Sequence, residues 1–135
     1  MNHSIFMFIS MFLINLLMPI IMIKDINDYR ISLNSIYGSF FMGSSMVLSM
    51  IFTMKLSNFV IILNSIIIVL SILALRNQIF VSDKLFLLDM IPHHSMALQT
   101  SSHILEKTKD PRIKDLAKNI YNSQIKEIDY MKSML

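Results

Sequence analysis

A chain of 135 residues that is 54% hydrophobic and only 16% charged is too apolar for an ordinary soluble domain of that size. It has no cysteine, which excludes disulfides, thiolate metal sites and cysteine catalysis. The net charge is +3, but basic and acidic side chains nearly cancel from Ser82 onward, so nucleic-acid binding has little support.

The first apolar run, Ile5 to Ile23, carries no charge, and Asn15 is its one strongly polar side chain. About 20 such residues suffice to cross the hydrocarbon core of a bilayer. No Lys or Arg precedes the run and no small-x-small cleavage site follows, so it reads as a span rather than a signal peptide. A polar loop, Lys24 to Arg30, leads to a second run from Leu33 to Met54. Only Lys55 to Asn58 separates this from a third run, Phe59 to Leu75, so the last two spans form a tight antiparallel pair. The expected location is therefore an integral, multi-pass position in a lipid bilayer. Lys24, Arg30, Arg76 and Lys84 fall on the side of the tail and Lys55 with the N-terminal amine on the other, a bias that favours a cytoplasmic tail.

From Ser82 the pattern turns amphipathic. Phe86, Met90, His94, Ala97, Leu98, Ser101, Ile104 and Leu105 recur at helical steps, and Ser82 can cap the start. Asp110-Pro111 marks a second start, an N-cap followed by proline at the first helical position. The second helix aligns Ile113, Leu116, Ala117, Ile120, Gln124, Ile128, Met131 and Leu135. The expected organisation is all-α: residues 1–80 form a three-span membrane anchor, and residues 81–135 form an antiparallel two-helix hairpin carrying Met90-Ile91-Pro92-His93-His94.

In such a hairpin, residues equally far from the turn stand at one height. His94 is then level with Gln124, and Met90 with Ile128 and Met131. Met90, His94, Gln124 and Met131 should converge on one apolar seam with Glu127 at its edge. A polar group there needs a partner or a metal, since burying it alone costs a few kcal/mol. Thioether sulfur and imidazole nitrogen favour soft metals, above all Cu(I) and Ag(I). The bland alternative is a hydrogen bond between His94 and Gln124. Pro92 removes a donor beside both histidines, which lie about 100° apart around the helix axis. Met42, Met46 and Met50 mark a stripe along the second span, with Met54 in register, and Met7, Met11, Met18 and Met22 fall near one face of the first. Thioethers so placed could relay Cu(I), but adaptable packing, which methionine does well, is the preferred reading of these stripes.

The run Asp83 to Ala97 resembles the signature D-x-x-F-x-x-x-M-I-P-H-H-x-x-A of the domain-of-unknown-function family numbered 305. A second signature of that family, A-x-x-I-x-x-x-Q-x-x-E-I-x-x-M, is matched by Ala117, Ile120, Gln124, Glu127, Ile128 and Met131. Upstream, Asn34 with Tyr37, the Met42/Met46/Met50 series and Arg76-Gln78-Asp83 are similar to elements of membrane-anchored members. Gly38 departs from the methionine that tends to follow the tyrosine. The resemblance implies a ferritin-like helical bundle, of which this tail supplies half. It implies copper or silver binding through Met90, His93, His94 and Met131, with Gln124 and Glu127 as close neighbours. Soluble members often have four helices, so two tails are expected to associate into a homo-oligomeric bundle.

The leading expectation is a membrane protein whose tail binds Cu(I) or Ag(I) for metal tolerance or delivery, without catalysis. A di-iron oxidase needs several inward carboxylates and Glu-x-x-His pairs, which Glu106 and Glu127 do not supply. The alternative is a non-catalytic accessory subunit of a membrane complex with no bound metal.

Overall fold

A computed structural model describes residues 2–135 of the chain, with the side chain of residue 2 outside the description. Among the described residues the structure is all-helical: α1 Asn2–Leu17, α2 Leu33–Ser49, α3 Asn58–Asn77, α4 Asp83–Lys107 and α5 Pro111–Ser133, with short 3-10 turns at Met18–Ile21, Ile26–Asp28 and Met50–Phe52. The chain divides into two compact units, Met1–Leu17 with Leu33–Val81 and Met18–Ser32 with Ser82–Leu135.

Three helical segments are long and apolar enough to cross a membrane: His3–Ile21, whose last four residues belong to the second unit, and Leu33–Phe52 and Asn58–Asn77 of the first. The α-helical part of the first ends at Leu17, because the residue before Pro19 is disfavoured in the α conformation. The second tightens to 3-10 form at Met50, short of the Met54 end expected from hydropathy, and Thr53 N–H closes it on the Met50 carbonyl. Ser57 caps the third, its hydroxyl accepting from Val60 N–H at 3.4 Å. Gln78 ends that helix in the left-handed region at φ 49°, held by Asn34, whose amide donates to Gln78 Oε1 at 2.9 Å.

The helix α2 is the centre of this unit and packs on both α1 and α3, which scarcely touch each other. Small side chains allow the approach, as Ser39, Gly43 and Ser44 are all buried. A Cβ at Gly43 would stand 3.0 Å from both the ring and the backbone carbonyl of Phe8, so a side chain there would push α1 back by a few tenths of an ångström. Phe12 and Phe40 meet edge to face beside it, with ring centroids 5.0 Å apart.

In the second unit, Ser82 and Asp110 cap α4 and α5 through Leu85 N–H and Arg112 N–H. The two helices pack side by side around Ile91, Leu98, Ile128 and Met131, with Leu87, Met90 and Tyr121 against that core. The buried face of α4 differs from the expected stripe. Phe86 and Ile104 are exposed, while Asp89, Ile91, Pro92 and Ser95 are buried. The reason is the segment 18–32, which packs with the helix pair and covers a second face of α4. Ile23, Asp28 and Ser32 are buried there. Lys24 N–H donates to Ser95 Oγ at 3.0 Å, the Ser32 hydroxyl donates to Asp89, and Lys132 is ion-paired with Asp28.

Candidate metal site on α4 and α5

The Met90-to-His94 run occupies the middle of α4, which continues through Pro92. Proline has no N–H for the Leu88 carbonyl, so one helix bond is missing on the turn that carries both histidines. The two imidazoles point to different surroundings, as their 100° offset requires. His93 is 57% exposed, and its Nε2 stands 3.9 Å from Asp89 Oδ2, too far for a hydrogen bond. His94 is 22% exposed, and its Nδ1 lies 3.0 Å from Glu127 Oε2 on α5.

That last contact has the length of a hydrogen bond without its direction, so the buried Nδ1 has no hydrogen-bond partner. Gln124 does not meet His94; its amide leans on the same Glu127 Oε2 at 3.5 Å. Glu127 is thus the meeting point of the polar groups on this seam, half exposed and one turn beyond Gln124. Met131 belongs to the apolar core at 6% exposure, and Met90 packs directly against that core. Met90 and Met131 are therefore gathered in one cluster, His94 faces Glu127 across the helix pair, and His93 stands on the solvent side.

Among the described residues, no three His, Cys, Asp or Glu side chains converge as a metal site would require. A shell of three or more ligands on this seam therefore needs thioether sulfur. The donor types are those of a soft monovalent ion: two thioethers, an imidazole and a marginal carboxylate. The Nδ1 of His94 fits this reading, because its only close polar contact, Glu127 at 3.0 Å, lacks hydrogen-bond direction and leaves a buried ring nitrogen open to a ligand.

The methionines of the apolar helices do not share one environment. Met42 is exposed, Met46 is half-buried, and Met50 is buried at the first position of the 3-10 turn. On the first span only Met7 and Met11 lie within α1, since Met18 and Met22 fall beyond its end.

Sequence reasoning passed over Asp89 and the loop that holds it. A lone carboxylate between Leu88 and Met90 carries its own signal: a buried charge needs a partner, and here Ser32 supplies a hydroxyl from 57 residues away. The neighbouring Ser95 likewise fastens Lys24 and Asp25, its hydroxyl accepting both backbone N–H groups at 3.0 and 3.5 Å. These contacts fix the turn of α4 that presents His93 and His94.

An uncharacterized protein of Acanthamoeba polyphaga mimivirus is 40% identical over 116 residues, covering 83% of this chain and 76% of that protein. No solved structure matches the chain. Residues 72–135, which include α4 and α5, match the family described as Domain of unknown function (DUF305). The two ordered motifs on α4 and α5, the match across both helices and the similarity to the viral protein lead to one conclusion: the chain belongs to the DUF305 family.

Proposed function

We propose that this chain is an integral membrane protein whose helical tail binds a soft metal ion, Cu(I) or Ag(I), for tolerance or delivery. The observation that carries the proposal is the buried Nδ1 of His94, without a hydrogen-bond partner and 3.0 Å from Glu127, on a seam that also holds Met90 and Met131. In this reading Met90, His94 and Met131 supply the ligands, and Glu127 and Gln124 set the orientation of the imidazole. His93 joins by rotation from the solvent side or serves as the capture ligand. The ion is cargo, so no catalysis is assigned.

Residues 81–135 then act as an antiparallel hairpin, half of a ferritin-like bundle, on an anchor of three membrane spans within residues 1–80. Ile113, Leu116 and Tyr130 are exposed on α5, and a second copy of the tail would cover such a face. The charge bias of the loops supports a cytoplasmic tail. The competing reading is an accessory subunit without metal. It draws support from Met90 and Met131, which also serve as ordinary packing residues of the apolar core.

The test is Cu(I) titration of the full-length chain in detergent under reducing conditions, against a competing chelator, with metal analysis of the protein as purified. Sub-micromolar affinity that weakens at least tenfold in Met90→Leu and in His94→Ala supports metal binding. Leucine keeps the volume of methionine, so Met90→Leu separates ligation from packing. No binding, or equal binding by both variants, leaves the accessory role.

A further inference from the structure

The first unit holds a cavity that the metal reading does not use. Because α1 and α3 each pack on α2 and scarcely on each other, a cleft remains between their N-terminal halves. It encloses about 640 Å³, within the usual range for small-ligand sites. Its walls are apolar, built on Phe8 of α1, Val47 of α2 and Leu63 of α3. Polar groups gather mainly at one end, where His3, Lys55 and Ser57 line the rim, and Asn64 is buried deeper in the cleft.

The electrostatics of that rim have one sign. No Asp or Glu is among the lining residues, and Lys55 brings a full positive charge. The starts of α1 and α3, at Asn2 and Asn58, lie at the same end, so the positive poles of two helix dipoles add to it. The rim suits an anion and the floor suits an aliphatic chain, a pairing that defines an anionic amphiphile.

We propose that this cleft is a binding site for one anionic membrane lipid, its acyl chain between α1 and α3 and its phosphate at Lys55, with His3 and Ser57 as donors. A single lipid in that position closes the side of the bundle where α1 and α3 fail to meet. The site rests on the membrane reading of these helices and is independent of metal binding by the tail.

Native mass spectrometry of the full chain, released from detergent containing equimolar phosphatidylglycerol and phosphatidylcholine, reads the occupant directly. One retained phosphatidylglycerol is expected in preference to phosphatidylcholine. Lys55→Gln, at an exposed position that leaves the fold unaffected, should reduce that preference about fivefold. Leu63→Trp, which fills the cleft, should reduce retention of both lipids. Equal retention of the two lipids, or a preference untouched by Lys55→Gln, overturns the proposal. So does displacement of the lipid by millimolar inorganic phosphate, which would show a simple anion site, or a lipid-free dimer, which would show a second copy in the cleft. Alkaline-carbonate extraction of the same chain from membranes reports on the membrane reading separately. If the chain is released as soluble protein, that reading has failed and no lipid site follows from it.

Discussion

The two units satisfy their buried polar groups in opposite ways. In the apolar three-helix unit the polar groups in the helix interiors turn back on their own helices, and only at the end of α3 do Asn34 and Tyr37 reach across, to Gln78 and the Ile79 carbonyl. Ser39 donates to the Ser35 carbonyl at 2.7 Å, Ser45 to the Phe41 carbonyl at 2.7 Å, and Asn64 to the Val60 carbonyl at 2.9 Å. In the unit of α4, α5 and the first loop, the buried groups pair across 57, 71 and 104 residues of sequence, at Ser32–Asp89, Lys24–Ser95 and Lys132–Asp28. Self-sufficient helices are what a lipid surrounding would demand, because no water is present there to complete an unfinished bond. The pair α4–α5 with its loop has little apolar surface to bury, and polar contacts distant in sequence compensate. Two buried atoms stand outside this pattern, Ser44 Oγ in the first unit and His94 Nδ1 in the second, and only the imidazole nitrogen is a good metal ligand.

If the comparison is right, its largest effect belongs to Lys132→Ala. The Asp28 side chain is 4% exposed and would be left as a buried, unpaired carboxylate. Because Lys132 itself is 36% exposed, the loss should sit at the low end for buried pairs, about 3 kcal/mol. Hydrogen exchange of the α4 and α5 amides in the full chain measures it, and a change below about 0.5 kcal/mol would be that of an ordinary surface pair.

Next comes Ser95→Ala, which removes the hydroxyl acceptor of Lys24 and Asp25 N–H but leaves Lys24 the Ser95 carbonyl at 3.2 Å, and should cost about 1 kcal/mol. Protection should fall in segment 18–32 as well as in α4. Exchange confined to α4 would show that the loop does not depend on this contact.

The matched substitution in the apolar unit, Ser39→Ala, should change stability by less than about 0.5 kcal/mol, since the hydroxyl only back-bonds within its helix. A thermal melt in detergent that dropped as far as that of Ser95→Ala would abolish the distinction between the units.

The smallest effect lies at the exposed cap of α5. The Arg112 guanidinium, followed by the Arg112 backbone N–H, holds the Asp110 carboxyl below its ordinary value of 3.8. A depressed carboxylate contributes stability that is present above 3.8 and is lost as pH falls through the lower folded value. Carboxyl titration by NMR should place the Asp110 midpoint below 3.8, and Arg112→Ala should move it back.

Much of this architecture is legible in the chain because its signals are local. Uninterrupted apolar length marks the three helices long enough to cross a membrane, and Ser82 and Asp110-Pro111 mark the starts of α4 and α5 where the caps are found. The docking of segment 18–32 leaves no periodic trace, because its partners on α4 and α5 are 57 or more residues distant. That is also why the buried face of α4 includes Asp89 and Ser95, which an apolar stripe cannot predict. At the candidate site, counting residues from the turn is enough to look for the α5 partner of His94 near Gln124 and Glu127. It cannot tell Gln124 from Glu127, since both lie within one turn and the choice depends on rotamer and charge.

The central claim is that one ion takes sulfur from both helices together with the His94 nitrogen. X-ray absorption at the copper edge of the Cu(I)-loaded full chain tests it most directly. The account predicts mixed sulfur and imidazole scattering, with the sulfur contribution reduced by about half in Met131→Leu and again in Met90→Leu. A shell of nitrogen and oxygen alone, unchanged by either substitution, would contradict it.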